Sequence, residues 1–171
     1  MKTLTNWLWT GAAALAGALL AVMVVVVFLQ VVFRYFLLQP LAWAEESARF
    51  LFIWVALLGA ALGTKDRAHF AVTMAVSKLP APLQKGVAIL IALGASFVFY
   101  VVIVEGWGLV VMNQNQQSPA IGVQMSYPYL AIPLSGLLML IFTWADLIMH
   151  WAQERSATEG EELPSLSQML E

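Results

Sequence analysis

Thirty-one consecutive residues, Thr3 to Phe33, carry no charged side chain, and that run constrains the fold more than any other feature of the chain. As a helix it is roughly 46 Å long against about 30 Å of bilayer hydrocarbon, which suits a tilted or protruding membrane span. A cleaved secretory signal fits less well, because its apolar stretch is only about 7 to 15 residues and closes on a small-residue site. Here the run grows bulkier through Val24–Phe28 and ends at Arg34. Trp7 and Trp9 at its start and Tyr35 and Phe36 at its end stand where amphipathic rings favour the headgroup layer. The rest of the chain is built alike. Of 171 residues, 61% are hydrophobic and 11% charged, a balance that a soluble domain could not bury.

The expected architecture is an all-α integral membrane protein: a single membrane domain over 1–151 with four spans at about 7–36, 41–63, 84–111 and 126–149. Span two is the least regular. Its uncharged stretch, Phe50 to Thr64, covers only roughly 22 Å as helix, so the span must begin near Leu41, just after Pro40. That start carries Glu45, Glu46 and Arg49 into its outer turns. Pro128 and Pro133 fall in the first turns of span four, where a missing backbone donor is least costly or produces a kink. Between spans two and three, Val72, Ala75, Val76 and Leu79 recur at helical spacing beside Lys65, Asp66, Arg67 and Lys78. This pattern predicts a short amphipathic interfacial helix over 66–79, ended by Pro80 and Pro82. Asn113 to Gln124 reads as an exposed, uncharged polar loop. Residues 152–171 hold five glutamates and one arginine and are expected to form a disordered acidic tail. Basic residues set the orientation: Lys65, Arg67, Lys78 and Lys85 crowd the second connection and the third has none, which places both termini in the cytoplasm.

One dense polar constellation stands out, Gln30, Arg34, Glu45, Glu46 and Arg49. Gln30 and Arg34 share a helix face, as do Glu45 and Arg49, and a hairpin turning at Leu37–Pro40 would bring Arg34 toward Glu45 or Glu46. Two readings stand side by side: an ion-pair cluster at headgroup level that sets the hairpin angle, or a docking surface for a partner. Gly59 and Gly63 form a GxxxG pair, and Gly17 lies between Ala13 and Ala21 at the same spacing, which permits close helix approach within the chain or to another subunit. Glu105 and Asp146 are single acids near opposite membrane faces. No charge lies near a midplane, and no broken midplane helix or inverted repeat suggests a complete transporter. There is no cysteine, phosphate loop, activated nucleophile or metal-ligand spacing, so neither catalysis nor a cofactor is expected. His69 and His150 fall on one side and leave a haem- or quinone-binding anchor of a redox complex as an alternative.

The order of these residues carries a family resemblance. Gln30-Val-Val-Phe-Arg34-Tyr-Phe, then Pro40, Trp43, Glu45-Glu46, Arg49, Trp54, Gly59, Arg67 and His69, followed by Gln117-Ser-Pro-Ala-Ile-Gly122, Tyr127, Pro133 and Gly136, resembles the small membrane subunit of TRAP (tripartite ATP-independent periplasmic) transporters. The likeness spans roughly residues 15 to 150. It implies a bacterial inner-membrane scaffold (stator) subunit that supports a large elevator-type membrane subunit, on a separate chain since this one adds no further spans. It also implies a periplasmic substrate-binding protein and sodium-coupled uptake of a carboxylate or related organic anion. By the same resemblance Arg34, Glu45, Glu46 and Arg49 would order the periplasmic end. The loops carrying Pro40 and Trp43, and Ser118, Pro119 and Gly122, would help receive the binding protein. Membrane lipid is the remaining partner, and none among nucleic acids is expected.

Overall fold

The computed structural model describes residues 2–76 and 81–161, with side chains placed for 5–64, 83–84 and 86–149. Five helices follow one another: α1 (Lys2–Phe36), α2 (Ala42–Val76), α3 (Ala81–Met112), α4 (Ser126–Tyr129) and α5 (Ala131–Glu161). Four segments are long and apolar enough to cross a bilayer, Thr5–Phe36, Ala42–Thr64, Gly86–Met112 and Ser126–Met149. Even the shortest, at 23 residues, reaches about 35 Å and exceeds the hydrocarbon thickness.

Local chemistry explains where the helices stop. Pro40 has no amide proton and holds the preceding residue extended, so α1 ends before it. Leu38 turns the chain with φ of 54°, a left-handed conformation that a leucine adopts only under strain. The Gln39 amide then closes the turn by donating to the Phe33 carbonyl at 3.2 Å. Leu41 accepts the first bonds of α2, from the amides of Ala44 at 3.1 Å and Glu45 at 3.4 Å, which places the start of span two within a residue of the expected position. Span four is broken once, at Leu130, between α4 and α5. Pro133 cannot donate to the Tyr129 carbonyl, and the helix resumes through Leu134 donating to Leu130 at 3.3 Å.

Two segments differ in extent from their expected form. Residues 66–76 are helical, but they continue α2 without interruption and do not form a separate helix; 77–79 lie outside the described residues. Nothing in Lys65–Val76 is a glycine or proline, so no residue breaks the helical ladder at the end of the span. Likewise α5 runs on to Glu161, ten residues into the segment expected as a disordered tail. Ala152, Gln153, Glu154 and Arg155 are all good helix formers and extend a helix already nucleated. Residues 162–171 lie outside the described residues. His69 and His150 stand on α2 and α5, with their side chains outside the described set.

The helices are not gathered around a common centre. α1 packs along α2, α2 along α5, and α5 along α3, while α1 and α3 do not meet among the described residues. The spans therefore lie side by side in the order α1, α2, α5, α3, bent just enough for α1 to touch α5 and α2 to touch α3 at a few residues. The connections at 37–41 and 113–125 share one end of this row, called the loop end below. Among the described residues, fully or nearly buried apolar side chains are correspondingly few: Ala44, Leu58 and Ala61 on α2, Ala92 and Val110 on α3, Ala131 and Phe142 on α5. On α1 the half-buried positions Trp9, Ala12, Ala16, Leu19, Met23, Val26, Gln30 and Phe33 recur every three or four residues and form one seam.

Candidate functional site

The loop end gathers most of the residues singled out by sequence, but it pairs them in an unexpected way. Gln30 is half-buried on the α1 seam, whereas Arg34, one turn on, is exposed and makes no ion pair with Glu45 or Glu46. Arg49 donates instead to Glu45 within its own helix, Nη2 to Oε1 at 3.3 Å, with both side chains about two-thirds exposed. Such an i, i+4 pair in solvent is worth no more than about 0.5 kcal/mol. The charges thus form no single cluster across the hairpin. The α1–α2 turn leaves Arg34 and the glutamates on different helices without closing the gap between them.

Glu46 takes a different partner. Its side chain is buried, and its Oε2 accepts the backbone amides of Ala120 at 3.0 Å and Ile121 at 3.2 Å, residues 74 and 75 positions further along the chain. Those amides belong to a tight loop. Ser118 N donates to Val123 O at 2.8 Å and Gly122 N to Ser118 O at 3.0 Å, while Ser118 Oγ lies 3.4 Å from the Ile121 amide. Gly122 has φ of +73°, the conformation glycine adopts without strain, and so closes the turn. Below it, Gln117 and Gln124 form an isolated antiparallel bridge, Met125 N donates to Gln116 O at 2.9 Å, and Gln124 Nε2 donates to Gln114 O. Asn113 caps α3 by donating its Nδ2 to Leu109 O at 2.7 Å. What sequence presents as an open polar loop is a folded one. Ser118 is almost wholly buried, and Pro119 and Gly122 stay exposed. The two acceptor-facing amides carry no signal in their side chains, Ala and Ile, although the Ser118-Pro119-x-x-Gly122 turn spacing marks the place.

The loop end also exposes large apolar side chains: Phe36 and Leu38 in the first connection are each 82% exposed, and Trp43, Ile121 and Tyr127 are exposed too. Pro40 and Trp43 frame the turn, and Ser47 Oγ donates to the Trp43 carbonyl at 2.7 Å.

The glycines divide into two groups. A Cβ placed on Gly17, Gly59 or Gly63 would meet nothing within 4 Å. On Gly106 it would lie 2.7 Å from Ile132 Cγ2 and 3.1 Å from Pro133 Cδ, and on Gly136 it would lie 3.0 Å from Ile103 Cγ1. The close helix approach within the chain is therefore at α3–α5, through two glycines outside the motifs chosen for helix packing. The same seam carries the interhelical bond from Trp144 Nε1 to Ser96 Oγ at 2.9 Å, and Ser96 in turn donates to Ala92 O. From Glu45 onward the exposed residues of α2 among those with placed side chains, Glu45, Arg49, Phe52, Ala56, Gly59 and Ala60, lie on one stripe that leads to Gly63.

Residues 23–153 match the family described as tripartite ATP-independent periplasmic transporters, DctQ component. A Haemophilus influenzae protein designated a TRAP transporter small permease protein is 33% identical over 140 residues, covering 81% of this chain and 86% of that one. The sialic acid TRAP transporter small permease protein SiaQ of Vibrio cholerae is 29% identical over 128 residues, 71% of this chain and 70% of its own. The isethionate TRAP transporter permease protein DctMQ of Oleidesulfovibrio alaskensis is 30% identical over 141 residues, which are 78% of this chain but only 22% of that longer protein.

Proposed function

The chain belongs to the DctQ component family of TRAP transporters, the small permease subunits, and from that membership we propose that it is the fixed scaffold of a sodium-coupled importer of a carboxylate or related organic anion. The observation that carries this reading is the single row of helices, which encloses no route across the membrane by itself. A permease subunit of this shape works on a neighbour. The neighbour is a large membrane subunit that moves while this one stays still. The DctMQ relative, in which the matched portion is about a fifth of one longer permease, supports a stoichiometric partner of this kind. Sialic acid and isethionate, named for two of the relatives, are organic acids and support the substrate class.

The unfilled stripe of α2, with Gly59 and Gly63, and the Gly17 face of α1 are the surfaces against which the large subunit packs closely. The protein resides in the bacterial inner membrane, and the basic second connection supports both termini lying in the cytoplasm. The loop end then faces the periplasm, where the apolar rim of Phe36, Leu38, Trp43 and Ile121 helps receive a substrate-binding protein.

Co-purification tests the reading. Gly59→Leu and Gly63→Leu are expected to lower the yield of the complex with the large subunit at least about tenfold while leaving the isolated chain folded. The wild-type complex in proteoliposomes is expected to take up substrate only with a sodium gradient and a loaded binding protein. Uptake by this chain alone, or full complex yield in both leucine variants, would overturn the scaffold assignment or its contact face respectively.

A further inference from the structure

The backbone donors of the 118–122 loop can be followed one by one. Ser118 donates to Val123 O, Pro119 has no amide proton, and Gly122 donates to Ser118 O. Ala120 and Ile121 remain, adjacent in sequence, and both converge on one oxygen of Glu46, the Ile121 amide sharing its proton with the more distant Ser118 Oγ. Successive amides aimed at one point form a concave anion-binding nest, in which peptide dipoles take the place of a cation. The sequence neighbour that might have neutralised Glu46, Arg49, is held by Glu45. Among the described residues no arginine or lysine nitrogen comes within 4.0 Å of Glu46. A buried carboxylate would otherwise be strongly unfavourable, whereas Ala120 and Ile121 themselves are exposed residues. The buried carboxylate therefore depends on the two amides for its partners.

We propose that the Ala120–Ile121 amide pair is a carboxylate-binding nest filled internally by Glu46, and that this occupancy positions the third connection on the outer turn of span two. Glu46 is a positioning residue. It acts on the loop and touches no transported molecule. The loop carries no titratable side chain between Asn113 and Gln124, so the Glu46 carboxylate supplies the one formal charge at the contact. An empty nest retains its chemistry, and a small free carboxylate of the right size takes the vacated place.

The test is amide hydrogen exchange, resolved to residues 120 and 121, on the full chain in its complex or in nanodiscs. Glu46→Ala is expected to speed exchange at both amides by about tenfold or more, the change that loss of one charge-assisted bond brings. Exchange along the α3–α5 seam stays as in the wild type. Sodium formate, compared with sodium chloride at equal ionic strength, restores protection at these two amides in Glu46→Ala and does nothing to the wild type. Glu46→Gln keeps an acceptor oxygen at the same reach without the charge, and its protection falls between the other two. Unchanged exchange at 120 and 121 in Glu46→Ala would overturn the proposal, as would a loss that formate restores no better than chloride. Should Glu46→Ala loosen every helix, Glu46→Gln decides: a loss confined to the two amides supports the nest, and wild-type protection there refutes it.

Discussion

The α3–α5 seam and the free stripe of α2 both use glycine to let a helix come close, and they do so for different neighbours. At Gly106 and Gly136 the space is already taken by Ile132, Pro133, Ile103 and Val102 of the same chain. At Gly59 and Gly63 the space is open. The GxxxG pair that sequence reading favours is found on the open side, whereas Gly106 and Gly136 on the filled side have no small residue four positions away. Spacing alone reports that a helix can be approached; packing tells by what. In a membrane, where lipid tails compete on equal terms with leucine, a filled glycine notch contributes dispersion contacts that an unfilled one only offers.

Four substitutions would break or sharpen this contrast, read as changes in unfolding free energy of the isolated chain in a denaturant titration. The largest effect is expected for Gly106→Val, whose side chain has to displace Ile132 and Pro133; overpacking of this kind costs about 2 to 3 kcal/mol. A stability equal to wild type would mean that the α3–α5 seam is looser than its distances indicate. Trp144→Phe removes the bond to Ser96 and should cost about 1 kcal/mol, near the upper part of the range for hydrogen bonds between membrane helices. Gly59→Ala should act in the opposite direction and stabilise the isolated chain by about 0.5 kcal/mol, because it adds helix propensity where nothing obstructs the methyl group. If it destabilises, α2 has a neighbour at that face even in the isolated chain. Glu45→Gln on the same stripe should change stability least, by no more than about 0.5 kcal/mol, and that small loss should vanish at high salt.

Much of the fold was legible because bilayer thickness and helix rise leave little freedom: four helices long and apolar enough to cross a bilayer are present, as hydropathy indicates. The order of helices in the row was not legible, since all four spans are apolar on nearly every side and periodicity selects no neighbour. Glu46 shows the same limit at a single residue. An acid next to Arg49 and opposite Arg34 reads as a salt-bridge partner, because side-chain charge is written in the sequence. The groups that bind it are backbone amides of an alanine and an isoleucine, and a backbone donor has no letter. The Ser118–Gly122 turn could be read as a turn; that its amides would meet a carboxylate 74 residues away could not.

A single bent row of helices has mechanical consequences that a closed bundle lacks. Among the described residues each helix is braced mainly by its neighbours along the row and only lightly across it, so the layer resists sliding of one helix past the next better than flexing about its long seams. The seam crossed by Gly106, Gly136 and the Ser96–Trp144 bond ties α3 firmly to α5. The Glu46 tether crosses from α2 to the connection between α3 and α4, so it resists flexing at the loop end. Such a layer keeps its outline while its curvature adjusts to whatever lies against it, and its final shape belongs as much to the surface it leans on as to the chain itself.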